Sequence, residues 1–279
     1  FRVRYDCAMP KARAMARVAL VTGANCGIGA ATAIELAARG ASVLLTYLRA
    51  SAPADDNASP AYREARAADA SRLVEAIRAS GGRAEALEAD LIDTATPARL
   101  FDCAEAQLGP VEVLVCNASG WVQDSFGTAE RDRFGRPLRA VSVDTFEAQF
   151  AVDARATALL IAEFARRHVA RAGDWGRIVS LTSGGPDGFP SEVSYGAAKA
   201  ALENYTMSAA WELGGYGITA NVVYPPATDT GWLTPDIRAT ASAQSPLGRV
   251  GEPGDVARVI AMLCSDDARS VTGNVVRMR

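Results

Sequence analysis

Short runs of β-branched and aliphatic residues alternate along the chain with longer stretches whose apolar positions recur every three or four residues. The short runs are RVALVT at 17–22, SVLLTY at 42–47, AEALEA at 84–89, VEVLVC at 111–116, RIVSLT at 177–182, ITANVV at 218–223 and NVVRM at 274–278. Helical spacing occupies the stretches near 28–39, 62–80, 95–108, 144–171, 193–214 and 253–265. Strand, helix, strand repeated in this way predicts an α/β fold: one domain built on a parallel sheet of about seven strands with helices on both faces.

Four segments stand outside the alternation. Residues 1–15 show no period and read as an N-terminal tail before a domain over 16–279, with Met15 a possible natural start. Residues 49–61, rich in Ala, Pro, Ser and Asp, read as a surface insertion. Residues 121–142 follow the fourth strand and mix aromatics with charge, and residues 225–249 follow the sixth. In doubly wound sheets ligands bind beyond the carboxyl ends of the strands, so these last two segments are candidates for a substrate wall.

Composition narrows the function classes. With 49% hydrophobic and 22% charged residues, the 279-residue chain can bury a substantial core. A formal net charge of -3 provides no electrostatic footprint for nucleic acid or an anionic membrane. No apolar run approaches the ~20 residues needed to span a bilayer, and no secretory pattern opens the chain, so a cytoplasmic protein is expected. Cys7, Cys26, Cys103, Cys116 and Cys264 are scattered and never form a C-x-x-C pair, which fits reduced thiols better than disulfides or zinc. The single histidine, His168, is expected on a helix surface or partly packed, and no metal site is predicted.

Lysine is almost absent. Only Lys11, in the leading tail, and Lys199 occur, and every other basic residue is arginine. Lysine is a compact ammonium whose pKa moves on burial, which arginine cannot imitate. Lys199 lies four residues after Tyr195 in SYGAAKAALENYTMSAAWEL, so the two side chains share a helix face. An ammonium beside a phenol is expected to lower a pKa that starts near ~10 and to allow proton exchange with an alcohol or carbonyl. An ordinary helix-surface pair is the alternative.

The first strand runs straight into TGANCGIGAATAIELAARG, where Gly23, Gly27 and Gly29 let the backbone turn tightly and approach a diphosphate at a helix amino end. The T-G-x-x-x-G-x-G spacing at 22–29, NAS at 117–119, Ser183, Tyr195 and Lys199, in that order, resemble the classical short-chain dehydrogenase/reductase family. The resemblance covers about residues 16–278 and is nearest the 3-oxoacyl carrier-protein reductase-like branch. It implies a doubly wound, Rossmann-type sheet.

The resemblance also implies roles. Gly23, Gly27, Ile28 and Gly29 would line the pyrophosphate, Asp90 would accept from the adenine amino group, and Asn117 and Ala118 would border the adenosine ribose. Asn25, Tyr47, Leu91, Ser119 and Thr228 fall along the same dinucleotide. Asn221, Pro225 and Thr230 match the N-x-x-x-P-G-x-x-x-T segment that closes over the nicotinamide, with Pro226 where the family has glycine. The second strand ends Thr46, Tyr47, Leu48, Arg49, with no carboxylate to repel a 2'-phosphate and with a guanidinium to receive one. NADP(H) is therefore expected over NAD(H), although Cys26 stands where many NADP users carry a basic residue.

At the reacting end, Tyr195 would give a proton to the carbonyl oxygen, Ser183 would hydrogen-bond it, and Lys199 would tune the phenol and hold the nicotinamide ribose. Thr182 is a neighbouring hydroxyl with a strand-end role as its alternative. Asp153 in FAVDARAT stands where the family has an asparagine, and is a catalytic candidate, with a plain helix residue as its alternative. Trp121, Phe126, Phe189 and Trp232 could form an apolar pocket, and Arg131, Arg133, Arg136 and Arg139 could receive an acidic carrier or phosphorylated substrate or simply be solvated. The expected activity is NADPH-dependent reduction of a ketone or 3-oxoacyl-type carbonyl, by a homotetramer or dimer that uses no metal. A dinucleotide-binding, redox-sensing protein with little turnover is the alternative, and the glycine spacing counts against an extended-branch epimerase or dehydratase.

Overall fold

A computed structural model describes residues 17–49, 60–183 and 188–279. The tail over 1–15, with Lys11 and Cys7, and most of the insertion over 49–61 lie outside the described residues. In chain order the elements are β1 Val18–Thr22, α1 Gly27–Ala38, β2 Ser42–Tyr47, α2 Pro60–Ala67, α3 Ser71–Ala79, β3 Arg83–Glu88, α4 Thr96–Gln107, β4 Val111–Cys116, β5 Asp124–Ser125, β6 Arg139–Ala140 and α5 Val143–Phe150. A π-helical turn, Ala151–Ala156, then leads to α6 Thr157–Ala170, β7 Gly176–Leu181, α7 Val193–Leu213, β8 Ile218–Tyr224, α8 Pro235–Gln244, α9 Pro253–Leu263 and β9 Val275–Arg277.

Seven strands form one parallel sheet in the order β3-β2-β1-β4-β7-β8-β9. Strands β1, β4 and β7 are mostly apolar and almost wholly buried because helices cover both faces, β7 carrying buried Arg177 and Ser180 among its aliphatics. Successive side chains point to opposite faces, so one strand feeds two core layers. Ala19, Val21, Val113, Val115 and Val179 pack with Leu36 of α1 and Val256 and Ile260 of α9, together with Cys264. Leu20, Leu114 and Ile178 pack on the other side with Phe101 of α4, Leu160 and Phe164 of α6, and Cys116. Phe101 and Phe164 meet edge to face at 6.4 Å, and full burial of such a side chain contributes roughly 1.5–3 kcal/mol. Strand order reverses at β1, which has β2 on one side and β4 on the other, and this opens a crevice at the carboxyl ends.

Several boundaries differ from the sequence reading. The stretch 62–80 is two helices, because the Asp69 carboxylate accepts from the Ser71 backbone N–H at 3.0 Å and starts α3 afresh. The stretch 144–171 is interrupted by the π turn. Within 225–249 lies α8, begun by Pro235 in its first turn and by Thr234, whose hydroxyl accepts from the Ile237 N–H at 3.4 Å. The third and last strands are β3 at 83–88 and β9 at 275–277, slightly offset from the runs at 84–89 and 274–278. His168 is fully buried and not on the surface: its ring stacks on Phe164 at 5.9 Å and its Nε2 lies 2.9 Å from the Tyr216 carbonyl. Among the described residues no helix is long and apolar enough to cross a membrane, and no cluster of His, Cys, Asp or Glu could hold a metal ion.

Candidate active site

The glycine turn after β1 is fixed by close approach. Gly23 and Gly27 have φ of +64° and +57°, the left-handed region that glycine adopts without strain. A Cβ on Gly29 would lie 2.1 Å from the Gly23 carbonyl, so no larger residue fits. The Asn117 side chain, at the end of β4, donates to the Thr22 and Gly23 carbonyls, both at 2.9 Å. The Asn117 and Ala118 N–H groups donate to the Thr22 hydroxyl at 3.0 and 3.1 Å. At the amino end of α1, Cys26 forms no side-chain cap and the first turn holds no acid, which leaves that positive helix end suited to an anionic diphosphate. The residues present therefore fit a dinucleotide.

The other residues proposed for the cofactor differ in what holds them. Asn25 donates from its amide to the Ala65, Arg66 and Ala68 carbonyls at 3.3, 3.4 and 3.0 Å, tying the end of α2 to the turn. Ile28 packs on the core, Leu91 is buried, and Tyr47 pairs with Glu88 across the sheet. The Arg49 guanidinium does not stand open: its Nε lies 3.0 and 2.9 Å from the two Glu88 oxygens and its Nη2 2.7 Å from Oε2. Asp90 accepts the Ile92 N–H at 2.8 Å. Thr230 abuts Gly27, and the Thr228 hydroxyl donates to the Pro226 carbonyl at 2.8 Å. Pro225 and Pro226 follow directly on β8, which ends at Tyr224. Asn221 lies inside β8 and is spent on structure, donating to the Val271 carbonyl at 2.7 Å and accepting from the Asn274 N–H at 3.2 Å.

The structure brings Ser183, Tyr195, Lys199 and Asp153 together. Tyr195 and Lys199 share one face of α7, and the Lys199 Nζ stands 5.7 Å from the centre of the phenol ring. It donates to the Leu181 carbonyl at 3.0 Å and lies 2.8 Å from Asp153 Oδ1. Ser183, two residues past the end of β7, lies near enough to the phenol for its hydroxyl to pull the Tyr195 pKa down. Asp153 is carried in by the π turn, and such turns concentrate at functional sites. Its Oδ2 accepts from the Gly120 N–H at 2.9 Å, the Ser119 hydroxyl at 3.2 Å and the Gln149 amide at 2.5 Å. Both charged side chains are buried, 3% and 0% exposed, so the pair is held in low dielectric with its remaining lone pairs satisfied on one oxygen only. Thr182 is a buried strand-end residue whose hydroxyl reaches the Lys199 carbonyl at 3.4 Å.

This pairing reverses one expectation. The Tyr195 phenol is pushed above its ordinary value, chiefly by burial; the Lys199 ammonium and the Ser183 hydroxyl pull down, while the Asp153 and Glu192 carboxylates push up. Burial alone would lower the Lys199 ammonium, but the Asp153 charge, with lesser contributions from Tyr195 and Cys116, outweighs it and holds the ammonium above its usual range. Beneath them the Cys116 thiol is pushed up to about 12 by burial.

Residues 121–142 are fastened to this site by groups that sequence reasoning missed. Buried Asp124 accepts from the Ser194 N–H at 2.9 Å and the Ser194 hydroxyl at 2.5 Å, directly beside Tyr195. Gln149 accepts from the Val122 N–H at 2.8 Å while donating to Asp153. Glu192 receives the Trp121 indole N–H at 3.1 Å and the Arg136 Nη2 at 3.2 Å, and burial raises its carboxyl above the usual range despite these two partners. Arg136 also binds Asp132 at 2.7 Å, Arg131 donates to the Gly135 carbonyl at 2.7 Å and Arg133 covers Phe134, so these three cations brace the segment itself. Arg139 lies in the short strand β6. Of the four aromatics, Phe189 lies 5.7 Å from the Tyr195 ring, Trp232 donates to the Thr228 carbonyl at 3.1 Å, Trp121 is 38% exposed and Phe126 81% exposed. A cavity of about 880 Å³ opens from Thr182 and Ser183 past Phe189 and along Gly196 and Ala200 to Tyr224 and Arg277. Only the Gln149 signal was present in the sequence, one helical turn before Asp153; Asp124 and Glu192 act over folds of the chain.

Known proteins are similar to this chain in sequence and in fold. The family model for enoyl-(acyl carrier protein) reductase matches residues 23–278. The cis-4-hydroxycyclohexanecarboxylate dehydrogenase of Sinomonas cyclohexanicum is 38% identical over 264 residues, 93% of this chain and 94% of that protein. Among solved structures, a short-chain dehydrogenase from Burkholderia cenocepacia in complex with NADP superposes with a TM-score of 0.78 at 30% identity, covering 95% of this chain and 97% of that one. The angucycline C-6 ketoreductase LanV with bound NADP gives a TM-score of 0.75 at 31% identity, covering 95% and 94%. With the glycine turn, the parallel sheet and the Ser-Tyr-Lys cluster all in place, the chain belongs to the classical short-chain dehydrogenase/reductase family of NAD(P)-dependent oxidoreductases.

Proposed function

We propose that this enzyme uses NADPH to reduce a carbonyl to an alcohol, with Tyr195 as proton donor. The observation that carries the reading is the Lys199 ammonium 5.7 Å from the Tyr195 ring and 2.8 Å from Asp153, with the Ser183 hydroxyl near the phenol. The bound nicotinamide would supply the hydride to the carbonyl carbon. As the carbon–oxygen double bond becomes single, the Tyr195 phenol gives its proton to the oxygen and Ser183 donates a hydrogen bond to it. The phenolate left behind faces Lys199, which stabilises it until a proton returns. A phenol held above its ordinary value of 10.0 carries its proton at neutral pH, the form that a donor in the reductive direction requires.

NADP(H) is favoured because the end of β2, Thr46 to Arg49, has no carboxylate of its own to oppose a 2'-phosphate, and because two of the related structures hold NADP. Self-association belongs to the same proposal, through Val143 and Phe146 of α5 and Tyr205 and Trp211 of α7, which are exposed; a monomer mass by light scattering would remove it. The principal experiment follows absorbance loss of NADPH and NADH against ketones, aldehydes, quinones and 3-oxoacyl thioesters, in wild type and Tyr195→Phe. The variant should lose turnover by about 10²–10⁴-fold while still binding coenzyme. Undiminished turnover in Tyr195→Phe would overturn the proton-donor role, and no turnover with any carbonyl would overturn the reductase reading.

A further inference from the structure

Two arginines approach the adenosine end of the crevice, and they are in opposite states. Arg49, just past β2, is gripped through its whole fork by Glu88, which also accepts the Arg49 backbone N–H at 3.2 Å. Arg66 of α2 has no carboxylate partner among the described residues. It is half-buried, its backbone carbonyl accepts from Asn25 in the glycine turn, and its charge acts on the Cys26 thiol.

The location matters as much as the charge. Cys26 occupies the N-cap position of α1 without capping it through its side chain, and it brings no cation of its own. The glycine turn touches the end of β2 directly, since the Ala24 N–H donates to the Thr46 carbonyl at 2.9 Å. The junction between that turn and β2 is where an adenosine ribose lies in a sheet of this topology. Helix α2 reaches this junction because it is anchored at two ends. Asn25 holds its last carbonyls, and Tyr62, under the Arg66 guanidinium at 5.8 Å, abuts Gly231 in the segment after β8.

We propose that Arg66 recognises the adenosine 2'-phosphate of NADP(H), supplying from α2 the cation that Cys26 lacks and that Glu88 withholds at Arg49. The inference rests on NADP(H) as the coenzyme. A guanidinium without a carboxylate partner can offer two parallel N–H groups to a phosphate, whereas Arg49 would first have to leave Glu88.

The test uses the full chain and calorimetric titration with NADPH, NADH and 2',5'-ADP, so that binding is read without turnover. Arg66→Ala should weaken NADPH and 2',5'-ADP by about ten- to a hundredfold and leave NADH within about twofold. Arg66→Lys, which keeps the charge and loses the fork, should fall between. Arg49→Ala should cost less than Arg66→Ala. The melting temperature of unliganded Arg66→Ala should match wild type, and Arg66→Gln serves instead if it does not. Equal losses for NADPH and NADH would assign Arg66 to the diphosphate and overturn the proposal, as would no loss for either. Wild-type protein that binds neither dinucleotide would overturn the coenzyme reading as well.

Discussion

The two ends of this crevice, the one proposed for the reaction and the one proposed for adenosine, handle charge in contrary ways. At the reacting end, Lys199 and Asp153 are sealed from solvent at 2.8 Å, and the carboxylate is held by three further donors. At the adenosine end, Arg49 and Glu88 form an equally short pair in the open, with 58% and 32% of their side chains exposed. The buried pair cannot exchange partners without stranding an ion, whereas the exposed pair can. On the proposed function, rigidity is thereby placed where the proton would move, and exchangeable contacts where a coenzyme would enter and leave.

The contrast is sharpest at Asp153. Asp153→Ala should lower the unfolding free energy by about 3–5 kcal/mol in urea titration, because it leaves the ammonium buried without its counter-charge; a loss well under 1 kcal/mol would mean that the pair relaxes as a surface pair does. Asp153→Asn keeps the shape and removes the charge. It takes away one of the influences raising the Tyr195 phenol, so the alkaline limb of the turnover profile should move to lower pH. The linked stability has a definite sign. Tyr195 and Lys199 both bind protons more tightly in the folded state, so the stabilisation is complete below their ordinary values of 10.0 and 10.5 and is lost as pH rises through the raised ones. Melting temperature should therefore fall above pH 10 in wild type, and the fall should be shallower in Asp153→Asn. Equal slopes would remove Asp153 as the cause.

A smaller effect is expected where residues 121–142 meet α7. Asp124→Ala strands the Ser194 N–H and hydroxyl, a cost of about 1–3 kcal/mol, and should lower kcat by about tenfold with coenzyme affinity unchanged. Asp124→Asn, which can still accept from the N–H, should restore much of it. A change in coenzyme affinity instead of kcat would show that the clamp serves the cofactor end. The smallest effect belongs to the exposed pair. Glu88→Gln should leave the melting temperature unchanged and tighten 2',5'-ADP by about twofold as Arg49 is released; a marked loss of stability would erase the difference between the two ends.

Much of this was legible in local sequence. Runs dominated by β-branched and aliphatic residues, such as VEVLVC and RIVSLT, reported buried strands, and the spacing of Gly23, Gly27 and Gly29 reported a turn that nothing larger can make. The four-residue interval from Tyr195 to Lys199 reported a shared helix face. What it could not report was depth: the pair alone predicts a lowered phenol, and burial beneath Phe189 and residues 121–142, with Asp153 alongside, reverses the sign. The π turn was invisible because 144–171 has unbroken helical spacing, and the contacts on Asp153 that accompany the extra residue per turn come from Gly120 and Lys199, more than thirty positions away. Helix α8 lacked an apolar stripe, with Ile237 its one buried residue, and only Thr234 and Pro235 announced it.

Among the described residues two thiols are buried, one in each core layer. Cys116 belongs to the layer under α4 and α6, Cys264 to the layer under α1 and α9, and burial holds both near 12, where the reactive thiolate is scarce. Alkylation of either one thus requires its own set of helices to lift from the sheet, so the chain carries two built-in clocks, one timing each side as it opens.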